Sequence, residues 1–160
     1  MLERRVQTIA VTCFIAVLSI AFSHTVSAGH GEETKLISTS ESGLAIRGYD
    51  TVAYFADGKP TVGSEALEYL WQGAAWRFKS RKHRAMFIAN PTKYAPQYGA
   101  FCALGVSFHK AVPVDPNAWT IVEGKLYLNY SVEFREKWRA DKAQNIKKAD
   151  SIWSEHSPSK

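Results

Sequence analysis

The sequence predicts an α+β fold, a small single domain in which antiparallel hairpins pack with two helices. Two stretches of alternating apolar residues each fold back across a glycine turn, and two serine-started segments carry apolar residues at helical spacing. The chain has 160 residues, room for one such domain and not two. Hydrophobic residues make up 46% and charged residues 22%, which excludes a disordered or fibrous chain, while 12% aromatics supply the bulk to fill a small core. Lys and Arg number 20 against 15 Asp and Glu, a net charge of +5. That excess is spread along the chain rather than gathered, so no nucleic-acid partner is expected.

Residues 1–28 read as a signal peptide. Arg4 and Arg5 precede an apolar run from Ile9 to Phe22, and Val26-Ser27-Ala28 supplies small residues for cleavage. The run is shorter than the ~20 residues that span a bilayer, so no membrane span is expected after cleavage. The arginine pair alone does not separate twin-arginine from Sec export. Cys13 lies inside the apolar run, which leaves Cys102 as the single thiol of a periplasmic or secreted protein, with no intramolecular disulfide available.

Residues 29–43 read as a flexible leader, 44–155 as the domain and 156–160 as a tail. Tyr49 to Phe55 reads as a strand closed by Asp57-Gly58-Lys59-Pro60. Leu67, Tyr69 and Trp71 alternate, Gln72-Gly73 turns, and Trp76 and Phe78 alternate again, a hairpin. Ser80 is a good N-cap for a helix over Arg81 to Ala89, which Asn90-Pro91 stops. Tyr94 to Gly105 reads as a connection. A second hairpin runs Trp119 to Val122, turns at Glu123-Gly124 and returns as Leu126 to Leu128. Ser131 caps a final helix whose stripe is Phe134, Trp138, Ile146, Ala149 and Trp153.

The segment from Trp71 to Ser80, continued through Phe87, Asn90-Pro91 and Lys93-Tyr94, resembles the YHS domain. The wider pattern, with Gly48-Tyr49-Asp50, Pro96 to Gly99, Phe101-Cys102-Ala103, Val114-Asp115-Pro116 and Lys125 to Tyr130, is similar to secreted bacterial YHS-domain proteins over about Leu44 to Trp153. The resemblance implies a treble-clef-like core and a metal-linked role. It also implies cysteine ligands where this chain has Ala53, Lys79 and His83, so a structural zinc is not expected.

Cys102 occupies a place where the resemblance implies a cysteine or selenocysteine. It is a candidate metal ligand, with His109 or His83, or a redox thiol. The alternative is a buried small hydrophobe, a common cysteine environment. His83 stands at an implied ligand position, but within Lys79 to Arg84, where like charges repel a cation and a solvated helix face is the simpler reading. Ser80 and the basic side chains there could hold an anion. Gly29-His30, at a new N-terminus, could chelate Cu(II). Asp50 reads as a residue that hydrogen-bonds the backbone at a strand end, and Asp115-Pro116 as a turn. No catalytic triad order, phosphate loop, dinucleotide fingerprint or haem motif is present. The expected function is weak or transient copper handling through a lone cysteine, beside a metal-transport or redox partner. A thiol-redox protein and a non-catalytic interaction module without the metal site stand as alternatives.

Overall fold

The computed structural model describes residues 37–156. The expected signal peptide, Cys13, Gly29-His30 and the last four residues lie outside them. Among the described residues the fold is a small α+β domain with two antiparallel hairpins, as the alternation predicts, and six α-helices where the sequence predicts two. No helix there is long and apolar enough to cross a membrane.

The first hairpin pairs β1 (Ser64–Trp71) with β2 (Ala74–Phe78), and Gln72-Gly73 turn between them with positive φ at both residues. The second pairs β3 (Asp115–Val122) with β4 (Lys125–Asn129) across Glu123-Gly124, again with positive φ at both. Each hairpin is its own two-stranded sheet rather than part of one sheet, and each carries an irregularity near the start of its first strand. A bare two-stranded hairpin is marginal, so both depend on the helices that cover them. Gly63 fits beside the first hairpin because it has no side chain. A Cβ there would stand 2.4 Å from the carbonyl carbon of Arg77.

Tyr49 to Phe55 does not form the expected strand. Thr51–Ala56 is a helix, α1, whose N-cap is Asp50. The β-branched and aromatic residues favour a strand locally, but the Asp50 carboxylate accepts from the Val52 and Ala53 N–H groups and fixes a helical start. Ser80 caps α2 (Arg81–Ala89) by accepting from the His83 N–H, and Asn90 ends it and opens α3 (Pro91–Tyr94). The expected connection from Tyr94 to Gly105 thus holds α3 in part, a left-handed turn with positive φ at Tyr98, Gly99 and Ala100, and α4 (Ala103–Val106).

Ser131 caps α5 (Val132–Ala140) as expected, but the final helix is broken at Asp141, whose backbone leaves the helical region, and resumes as α6 (Lys142–His156). The apolar stripe therefore spans two helices, with Trp138 and Ala149 fully buried.

Among the described residues, packing is already present at Ile37, ahead of Leu44. Ile37 is buried, and the Ser38 N–H donates to the Gly99 carbonyl at 2.7 Å. The larger core cluster gathers Val52, Tyr54, Trp76, Phe78, Leu126 and Leu128. Phe87 sits at the centre of an aromatic group, stacked on Trp76 at 5.0 Å and edge-on to Tyr69 and Trp71. A second cluster joins Tyr98, Ala103, Val106, Tyr127, Trp138 and Ala149, and Leu104 packs against both.

Candidate functional site

Two buried polar places carry the residues to which the sequence drew attention. The first is built on Asp50. Its carboxylate is fully buried and accepts four hydrogen bonds: Val52 N–H at 2.9 Å and Ala53 N–H at 3.3 Å on Oδ1, with Lys79 N–H at 2.9 Å and His83 Nδ1 at 2.7 Å on Oδ2. An ionised carboxylate only accepts, so against it His83 donates through Nδ1, and Nε2 is the ring nitrogen not engaged by Asp50. His83 is 5% exposed, which corrects its reading as a solvated helix face. Helical spacing explains this: His83 and Phe87 lie one turn apart and are the buried residues of α2, while Arg81 and Lys82 point outward.

Ala53, Lys79 and His83, the positions of the implied ligands, thus converge on one carboxylate. They offer it two backbone N–H groups and an imidazole N–H. Ala53 has no ligating side-chain atom, and the Lys79 ammonium turns away to pair with Asp57 at 2.6 Å. This donor set does not fit a thiolate-bound ion, and an anion fills the centre of the cluster. The Lys79 contact holds the Asp57 carboxyl below the usual carboxylate range, chiefly by hydrogen bonding.

The second place is built on Cys102, which is fully buried at the N-cap of α4. Its Sγ accepts the Gly105 N–H at 3.3 Å and donates to Asn129 Oδ1 at 3.7 Å. The same oxygen accepts the Leu104 N–H at 3.2 Å, so the amide of Asn129, at the end of β4, ties the helix start to the second hairpin. The chain leaving α4 folds back over the thiol. Cys102 N–H donates to the Val112 carbonyl at 3.0 Å, and a Cβ on Gly105 would stand 2.7 Å from the Lys110 carbonyl oxygen. The tip of this loop is exposed at Phe108 and His109, and His109 holds a left-handed φ of 56°.

The three candidate ligands are held separately. Cys102 is engaged with Gly105 and Asn129, His83 with Asp50, and His109 lies on the exposed loop. Among the described residues no group of three or more His, Cys, Asp or Glu side chains is placed to hold a metal ion. Two buried tyrosines also stay protonated as donors. Burial raises Tyr54 far above its ordinary value, and its hydroxyl donates to the Pro116 carbonyl at 2.9 Å. Burial and the bond to Asp150 do the same for Tyr98.

On the surface, a groove of about 620 Å³ runs between β1 and α2, lined by Leu67, Glu68, Arg81, Arg84, Ala85 and Ile88 among others. Arg84 Nε donates to the Glu68 carbonyl at 2.8 Å and so covers part of the strand. The sequence pointed to Cys102 and His83 but missed Asn129, which has no local signal, and the N-cap role of Asp50. No family model matches the chain, and no curated protein or solved structure matches it.

Proposed function

We propose that this chain is an exported YHS-type domain that works by binding rather than by catalysis, with a carboxylate where the resemblance implies a metal centre. The observation that carries this reading is the convergence of Ala53 N–H, Lys79 N–H and His83 Nδ1 on Asp50. Four donors around one buried carboxylate satisfy it fully and join α1, the end of β2 and α2, the work a structural ion would otherwise do. The basic, partly apolar groove beside α2 is the surface on offer, with Arg81 and Ile88 exposed along it.

The test is metal dependence. Chelator should leave the circular dichroism spectrum and the melting temperature unchanged, whereas Asp50→Ala should lower stability strongly. A melting temperature that falls on chelation would overturn the reading.

A second reading, weak and transient copper handling, is favoured by the orientation of His83. A carboxylate behind Nδ1 is the usual support of a metal-bound imidazole, and it leaves Nε2 as the ligating atom. Copper is then cargo rather than a structural part. Cu(I) titrations of wild type, His83→Ala, Cys102→Ala and His109→Ala test it, and equal affinity in all four would remove these side chains as ligands.

A further inference from the structure

Among the described residues, four buried side-chain polar atoms have no hydrogen-bond partner, and Asn129 Nδ2 is one of them. Asn129 is fully buried, and its other amide atom touches the Cys102 thiol. The amide cannot turn around to relieve this. Leu104 N–H needs an acceptor, which fixes Oδ1 where it is and leaves both Nδ2 protons without one. A buried donor left unmade costs about 1–3 kcal/mol, so such an atom marks a place where an acceptor is missing. Nδ2 shares a planar amide with the oxygen that faces Sγ, so an oxygen atom added to the sulfur would arrive in the same closed corner.

We propose that Cys102 is a peroxide-oxidisable thiol whose sulfenic acid oxygen is received by Asn129 Nδ2. The oxidant is hydrogen peroxide. Sγ attacks one peroxide oxygen, forming the S–O bond as the O–O bond breaks. Sulfur loses two electrons, and the departing oxygen takes them with the thiol proton and leaves as water. The attacked oxygen keeps its own proton, which completes the sulfenic acid. Its lone pairs accept from Nδ2, while the Gly105 N–H holds the other side of the sulfur. Cys102 is the only cysteine among the described residues, so no neighbouring thiol there can condense with the product into a disulfide. The sulfenic acid is therefore held rather than passed on. This inference goes beyond the binding role and does not depend on it.

The experiment treats the folded protein with hydrogen peroxide, quenches with catalase and unfolds it in dimedone. Peptide mapping by mass spectrometry then reads the adduct on the Cys102 peptide. Wild type should carry the adduct. Asn129→Asp, which keeps the acceptor for Leu104 but loses the donor, should carry about fivefold less, the factor one net hydrogen bond is worth. Absence of the adduct in wild type, or an equal yield in the variant, overturns the proposal. Should Asn129→Asp not fold, the wild-type protein alone decides. Its Asn129 side-chain amide resonances should shift on peroxide treatment, and resonances that stay in place overturn the proposal.

Discussion

The Asp50 and Cys102 corners are both fully buried and both polar, yet they are finished differently. Around Asp50 four donors stand at 2.7–3.3 Å, and they come from α1, from the residue that follows β2 and from α2. Around Cys102 the partners are a weak thiol bond at 3.7 Å, a backbone bond to sulfur and an amide with one half unsatisfied. A saturated buried network rigidifies a fold and resists exchange of its members. An unsaturated one keeps interaction capacity in reserve. The comparison separates the part of this molecule that holds shape from the part equipped to change state.

The largest expected effect lies in the first corner. Asp50→Ala removes the acceptor of four donors around a fully buried carboxylate and should cost about 3–5 kcal/mol, measured by denaturant unfolding. A loss below about 1 kcal/mol would mean that water replaces the carboxylate and that the corner is not saturated in the sense used here.

The second corner should respond less, and in a telling order. Cys102→Ala should cost about 1 kcal/mol from lost packing. Cys102→Ser keeps an atom that can accept from Gly105 and donate to Asn129, so it should be no less stable than the alanine variant. Thermal melts of the two decide it, because in a purely apolar pocket serine would be the worse substitution.

Acid should affect the rim of the first corner. Lys79 lowers the Asp57 carboxyl below its ordinary value of about 3.9. A group whose folded value is depressed contributes stability that is fully present above the unfolded value and is lost as pH falls through the folded one. The stability difference between wild type and Lys79→Met should therefore be constant from about pH 5 upward and shrink below about pH 4. A difference independent of pH down to full protonation would show that the ion pair contributes nothing.

The smallest effect is expected at Lys137 and Glu133, an exposed pair one helical turn apart at 2.7 Å. The same sign applies to Glu133, which Lys137 lowers. A double-mutant cycle should give a coupling that disappears in high salt.

Those corners were unequally legible from sequence, and the reasons are local. Both hairpins could be read because a period of two and a Gly at each turn are short-range signals. Ser80 and Ser131 could be read for the same reason. Asp50 misled because α1 has six residues, too few to show a helical period, and because Val52, Tyr54 and Phe55 read as a strand. The burial of His83 could have been found from its i, i+4 relation to Phe87, which the surrounding basic residues masked. Asn129 had no signal at all. Its role depends on Leu104 and Cys102, which are brought to it by packing rather than by spacing. The left-handed backbone at Ile46 and Tyr98 was equally hidden, since neither side chain favours that region and only the surrounding fold imposes it.

The bond from Ser38 to the left-handed turn at Gly99 sets an order of events during synthesis. The segment carrying Ile37 and Ser38 leaves the ribosome early, but its docking site does not exist until the chain has been made past Ala100. Hairpin β1–β2 and helix α2 can form in the interval, because their contacts are local. The edge that later receives the N-terminal segment stays open until then. A chain delivered across a barrier from its N-terminus would therefore arrive with Ile37 and Ser38 still unbound, and closure of the domain would wait for its second half.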